Sequence, residues 1–329
     1  MNASRPVRGR LAPSPTGFLH LGNAWAFLLA WLACRSKGGS LVLRMEDIDP
    51  DRSRAGYADA IIRDLHWLGL DWDEGPDVGG PAGPYVQSAR MGLYADALSR
   101  LEKAGHTYPC YCTRKELRTL AGAPHVGDAG AAYPGTCRNL SPERRAGLEA
   151  AGRRPCIRLR CPSRGYAFED AVSGPFSMTL EACGGDFALR RSDGVIAYQL
   201  AVVVDDGLMG ITQVVRGEDL LVSTPRQLAL FDLLGYPRPA YMHLPLLCDP
   251  EGERLAKRHA SLTLASLRDA GVSPAAVAGY LGWKAGLLGA PSPIHPRDLL
   301  PAFDPARLRS LPGRVLIEAD LAASLSAAC

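Results

Sequence analysis

Residues 7–34 restrict the fold more than any other part of the chain. A short stretch at 7–12 has the length of a buried strand, a Pro/Gly-rich loop follows at 13–17, and an apolar run carries a helix over about 19–34. A strand that feeds a helix through a kinked loop suits an α/β fold, because the helix can pack back over the sheet to which the strand belongs. The next seventy residues repeat the unit. A strand at 41–45 ends in the acidic, turn-forming residues 46–50, and helical patterns follow at 54–68 and 86–104. This order predicts a parallel sheet. The apolar run 24–34 has 11 residues, against the roughly 20 that a membrane-spanning helix needs. Pro13, Pro15 and Gly17 separate it from Arg5, Arg8 and Arg10, which is not the layout of a secretion signal. A cytoplasmic, monomeric protein with no membrane partner is the expectation.

From 109 to 137 the periodicity disappears, as in an insertion. Strands are expected at 156–161 and 187–191, with a turn at Asp193-Gly194. A helix near 198–204, a strand at 211–215, a helix at 224–234 and a strand at 244–248 come next. A polar loop at 249–259 leads to helical segments, which Pro-rich linkers at 290–296 and 301–305 divide. The expected organisation is a first half of a nucleotide-binding domain at 1–108 and an insertion at 109–190. The second half follows at 191–260, with a short helical region at 261–329.

Lys and Arg number 37 against 34 Asp and Glu, a net charge of +3. That is too small for a general nucleic-acid coat and leaves room only for a local basic face. With 47% apolar and 22% charged residues the chain is not disordered. Nine cysteines stand in a chain too long to need disulfides. Most are scattered, but Cys110, Cys112 and Cys137 cluster, which points to a reducing compartment and one metal site. Three thiolates and a fourth donor suit tetrahedral zinc. His125, the more usual ligand type, and Tyr133 both lie in range as that donor.

No GxGxxG opens a strand–helix unit and no GxxxxGK[ST] loop is present, which argues against a dehydrogenase or a P-loop NTPase. The segment RLAPSPTGFLHLGN at 10–23 instead places His20 and Asn23 at a helix start. Free N–H groups and positive potential there suit phosphate, and Gly22 would let a flat base approach the backbone.

That segment resembles the "HIGH" signature of class I aminoacyl-tRNA synthetases in its glutamyl form, PSPTGxLHxG, with Asn23 at the second histidine position. LRMEDIDP at 43–50 is similar to the family's LRxEDTD, with Ile48 for threonine. YQLAVVVDD at 198–206 resembles its YxxAxxxDD helix, and VRGED at 215–219 its RGxD/E strand end. ERLAKR at 253–258 occupies the place of the "KMSKS" loop, with Arg254 and Ala256 where the family has lysine and serine. The resemblance covers roughly residues 8–285 and implies a Rossmann-like, parallel-sheet α/β catalytic domain. It implies ATP, accompanied by Mg²⁺, on His20, Gly22, Asn23 and Lys257. Glutamate falls to Arg10, Leu11, Ala12, Pro13, Ser14, Glu46, Tyr198 and Arg216. A guanidinium fork suits the side-chain carboxylate and an acid suits the ammonium. His20 and Lys257 become the catalytic pair, the lysine neutralising charge as pyrophosphate leaves.

A short, zinc-bearing branch of the family, the glutamyl-queuosine synthetases, carries CxC…YxxxC in its insertion. Likeness to that branch implies one structural Zn²⁺ on Cys110, Cys112, Tyr133 and Cys137. Only 329 − 257 = 72 residues follow Lys257, room for a stem-contact region but not for helical anticodon-binding domains. That branch activates L-glutamate without tRNA and attaches it to the queuosine base at the wobble position of tRNA(Asp), docking the anticodon stem-loop. The start of YQLA also looks closer to this branch. An ordinary glutamyl-tRNA synthetase core and a non-catalytic tRNA-binding paralogue are the alternatives.

Overall fold

In a computed structural model of the chain, residues 5–113, 115–117, 133–255, 260–321 and 324–325 are described. The opening unit has strand β1 (Arg8–Leu11), helix α1 (Leu21–Arg35), strand β2 (Ser40–Leu43) and helix α2 (Ala55–Trp67). β1 and β2 pair in parallel, Arg10 opposite Val42 and Leu11 opposite Leu43. Helix α1 is apolar nearly all round, so it is buried nearly all round, from Trp25 through Leu28 and Trp31 to Cys34. The pattern at 86–104 resolves into a 3₁₀ turn (Gln87–Arg90) and helix α3 (Met91–Lys103).

Beyond it lie β3 (Thr107–Cys110), α4 (Pro142–Ala150), β4 (Cys156–Leu159), β5 (Gly165–Asp170), β6 (Gly174–Thr179) and β7 (Ala188–Arg190). Then come α5 (Tyr198–Leu208), β8 (Gln213–Gly217), α6 (Thr224–Leu234), β9 (Ala240–Leu244) and β10 (Leu246–Cys248). Helices α7 (Leu264–Asp269), α8 (Pro274–Lys284) and α9 (Pro305–Arg309) and strand β11 (Arg314–Leu316) complete the order.

Four strands form a sheet in the order β6-β5-β9-β8, in which β5–β9 and β8–β9 are parallel and β5–β6 antiparallel. Thr212 N–H donates to Arg8 O at 2.9 Å and Arg8 N–H to Thr212 Oγ1 at 2.8 Å, which brings β1 alongside β8. β1 therefore lies between β2 on one side and β8 on the other. That is the switch point at whose carboxyl-end crevice open α/β sheets bind ligands. Strands β3, β4 and β7 make a separate antiparallel sheet.

Three expectations need correction. The hairpin β5–β6 falls where no strand is expected, because Gly174 and Pro175 disqualify β6 on sequence. They are tolerated because β6 is an edge strand. The strand expected at 244–248 is two strands, parted at Pro245. The tail is not wholly helical, since β11 pairs in parallel with β10 through Leu247 and Val315; three residues are too few to leave a period in the sequence. No helix among the described residues is long and apolar enough to cross a membrane.

Candidate active site

A cavity of about 490 Å³ opens where β1 and β8 end and α1 begins. Ala12, Pro13, Ser14, His20, Gly22 and Asn23 line it from the N-terminal segment. Arg10 lines it from the same segment, and Glu46, Tyr198 and Arg216 from three further stretches of chain. Residues more than 200 positions apart in sequence thus share one cleft. Leu11 is not brought to it: alternation along β1 turns that side chain, 0% exposed, into the core. Lys257 lies outside the described residues. Arg254 does line the cavity and pairs with Asp219 at 2.5 Å.

His20 is the N-cap of α1. Its Nδ1 accepts from Asn23 N–H at 3.3 Å while Asn23 Oδ1 accepts from His20 N–H at 3.1 Å. This reciprocal capping box accounts for asparagine at the second motif position. With Nδ1 as acceptor, a neutral ring carries its proton on Nε2. A Cβ on Gly22 would stand 3.1 Å from the His20 ring, so glycine there protects the ring's placement.

Beneath the cleft lies a buried charge network that sequence reasoning did not assign. Arg44, 0% exposed, donates to Asp206 Oδ1 at 2.7 Å and to Glu46 Oε1 at 3.0 Å, and its Nε is 3.6 Å from Asp205 Oδ2. Asp205 also accepts from Arg90 Nε (2.6 Å), Gln87 Nε2 (2.8 Å) and Tyr94 Oη (2.9 Å). Arg10 Nε stands 3.7 Å from Asp206 Oδ1, and Arg10 Nη1 donates to Val215 O at 3.0 Å. Three arginines thus balance three acids. Burial pushes the Glu46 carboxyl up, with Arg44 pulling it back. Burial opposes the charge on Arg44, but Asp206, Asp205 and Glu46 hold it well above the usual guanidinium value.

On β8, Arg216 is 6% exposed. It donates from Nε to His243 Nε2 (3.1 Å), from Nη1 to Gln227 Oε1 (2.8 Å) and from Nη2 to Thr224 Oγ1 (2.9 Å). His243 is opposite Arg216 in the β8–β9 register and pairs through Nδ1 with Asp170 Oδ2 at 2.6 Å. Neither His243 nor Asp170 is a sequence candidate, since a histidine within β9 and an acid beside Glu169 at the end of β5 carry no spacing signal.

The cysteine cluster stands apart, at the end of β3. The Sγ atoms of Cys110, Cys112 and Cys137 all lie within 4.8 Å of one another, the last two 3.6 Å apart. Thiolates around tetrahedral zinc stand roughly 3.8 Å apart. The Tyr133 hydroxyl lies 3.4 Å from Cys110 Sγ and accepts from Cys137 N–H at 2.8 Å, so an oxygen donor adjoins the three sulfurs. Burial resists ionisation of Cys110, but the Tyr133 hydroxyl and the Arg158 guanidinium outweigh it and lower the thiol pKa. Cys112 is pushed up to about 12 by burial and by Cys110. This donor set could hold one metal ion and fits zinc. His125 lies outside the described residues.

Residues 6–288 match the family model for tRNA synthetases class I (E and Q), catalytic domain. The chain is 63% identical over 306 residues to a Nitratidesulfovibrio vulgaris protein named glutamyl-Q tRNA(Asp) synthetase, covering 93% of this chain and 94% of that one. A Symbiobacterium thermophilum protein of the same name is 56% identical over 319 residues, covering 97% and 98%. Among solved structures, the glutamate-tRNA synthetase from Elizabethkingia anophelis superposes with a TM-score of 0.83 at 28% identity, over 98% of this chain and 70% of that one.

Proposed function

Because the chain belongs to the family of class I tRNA synthetase (E and Q) catalytic domains and is a ligase, we propose that it joins L-glutamate to ATP as glutamyl-adenylate without tRNA. We further propose that it passes the glutamyl group to the queuosine base of tRNA(Asp). One observation carries the first step: Arg10, Arg216 and Glu46 line one cleft together with His20. Two cations and an anion complement glutamate's two carboxylates and one ammonium, next to a helix N-terminus suited to phosphate.

In this reading an α-carboxylate oxygen attacks the α-phosphorus of ATP, and the bond to pyrophosphate breaks. Glu46 holds the ammonium, Arg216 and Arg10 the carboxylate end, and Tyr198 closes the side of the cleft. His20 offers its Nε2 proton to a phosphate oxygen. Lys257 counters the charge that builds on the leaving group, so positioning and electrostatics suffice without an enzyme nucleophile. Mg²⁺ on the nucleotide offsets phosphate charge. The names and near-complete coverage of the two glutamyl-Q relatives support queuosine as acceptor.

The test combines glutamate-dependent ATP–pyrophosphate exchange in the absence of RNA with transfer of labelled glutamate to tRNA(Asp) with and without queuosine. Exchange without RNA and transfer only to the modified tRNA are expected. Equal transfer to unmodified tRNA(Asp), or charging of the 3′ end of tRNA(Glu), would sink the proposal.

We assign one structural zinc to Cys110, Cys112, Cys137 and Tyr133. Elemental analysis of the purified protein is expected to give about one zinc per chain. Tyr133→Phe should release it to a chelator far faster than His125→Ala does. Zinc lost from His125→Ala and kept by Tyr133→Phe would reverse the assignment.

A further inference from the structure

We infer that the site tells glutamate from glutamine by surrounding Arg216 with neutral acceptors alone, so that the carboxylate neutralising it must come from the substrate. The inference rests on the proposed glutamate site and goes beyond it in naming Gln227, Thr224 and the His243–Asp170 pair as positioning residues for specificity.

The contrast with the neighbouring arginines is chemical. Arg44 is paired with three acids, Arg90 contacts Asp205 and Arg10 stands near Asp206. Arg216 is as buried as Arg10, yet among the described residues its hydrogen-bond partners are an imidazole, an amide and a hydroxyl. The face of the Tyr241 ring, 5.3 Å from its guanidinium carbon, adds attraction without net charge. A guanidinium has five N–H groups, and these contacts use three. One N–H on each η nitrogen is left over by these contacts, and a substrate carboxylate can accept from such donors. An amide would turn its NH₂ toward one of those donors and leave the positive charge uncompensated.

Two of the neutral acceptors, His243 and Gln227, are also locked in the accepting orientation by a second partner. Asp170 takes the Nδ1 proton of His243 at 2.6 Å and is itself fixed by the backbone N–H groups of Val172, Ser173 and His243. That leaves Nε2 of His243 as an acceptor, approached by Arg216 Nε at 3.1 Å and by the Thr224 hydroxyl at 3.2 Å. Gln227 turns its oxygen to Arg216 because its Nε2 donates to Gln199 Oε1 at 2.9 Å. Gln199 in turn donates to Ser223 Oγ at 3.2 Å. Gln199 is the second residue of the YQLA start of α5, whose sequence thereby sets the polarity of the chain. Along this hydrogen-bond chain, among the described residues, the nearest acid is Asp170, one residue removed from the guanidinium.

Gln227→Glu tests the idea, because it places a carboxylate on Nη1 at nearly unchanged shape. Gln199 can turn its amide to follow, since the Ser223 hydroxyl both donates and accepts. In ATP–pyrophosphate exchange, the ratio of kcat/KM for glutamate over glutamine is expected to fall on the order of 100-fold. The change should sit in KM for the amino acid, with KM for ATP held. Gln227→Met removes the acceptor without adding charge and should raise KM for glutamate while preserving the preference. Thr224→Asp carries the same test from Nη2 if Gln227→Glu does not fold. A folded acidic variant with undiminished preference, or an equal loss of preference in Gln227→Met, overturns the inference and leaves the proposed function standing. Wild-type protein without glutamate-dependent exchange overturns both.

Discussion

Replacing Arg44 by methionine is expected to lower the unfolding free energy by about 3–5 kcal/mol, read as a fall in the urea midpoint at unchanged slope. The side chain is 0% exposed and bridges Glu46, Asp205 and Asp206, residues from two distant stretches of chain. Asp205 keeps Arg90, Gln87 and Tyr94 as partners when Arg44 is lost. Among the described residues, Asp206 keeps only the 3.7 Å approach of Arg10, and the Glu46 oxygen nearest Arg44 is left without its donor. The penalty therefore comes from stranding these two carboxylates, not from losing methylene packing, which methionine largely restores. Asp206→Asn in the same chain should recover part of the loss, because it removes one stranded charge. A single variant costing under about 1 kcal/mol would mean that water reaches these carboxylates, as at an exposed ion pair.

This network also marks where sequence reading stops. The segments that carry it, LRMEDIDP and YQLAVVVDD, stand out as motifs, and Glu46 and Tyr198 within them do reach the cleft. Their neighbours Arg44 and Asp206 were passed over because a contact across 162 positions leaves no periodic trace. Strand β2 and helix α1 were legible because burial writes itself as apolar runs, and β1 because it leads directly into the Pro/Gly loop before that helix. Leu11 alternates with Arg10 along β1, which is why its side chain serves the core and not the cavity. Asp170 was hidden twice over, as an acid in a strand whose hairpin partner contains Pro175. The Cys110–Cys137 set was visible by spacing because ligands must converge within a few ångströms of one point. Cooperative polar chemistry, by contrast, is visible only once the strands are laid side by side.

Glu46→Gln is expected to reduce kcat/KM for glutamate by on the order of 100- to 1,000-fold, with KM for ATP unmoved. Glu46 lines the cleft with its side chain 8% exposed and one oxygen committed to Arg44 at 3.0 Å. An amide keeps the shape, but it must face two donors, Arg44 and the substrate ammonium, with a single oxygen. The pH profile separates this loss from a packing defect. Burial raises the Glu46 pKa above the usual 4.5; Arg44 and Arg10 oppose that shift and Asp206 supports it. Glu46 therefore takes up a proton at a higher pH than an ordinary carboxylate does, and its hold on the ammonium weakens as pH falls through that raised value. The wild-type enzyme should show an acid limb in log kcat/KM for glutamate that begins above pH 4.5. Glu46→Gln, lacking the titrating group, should lack that limb. A variant with undiminished kcat/KM, or with the wild-type acid limb intact, would move the ammonium away from Glu46 and remove the charge complementarity on which the glutamate assignment stands.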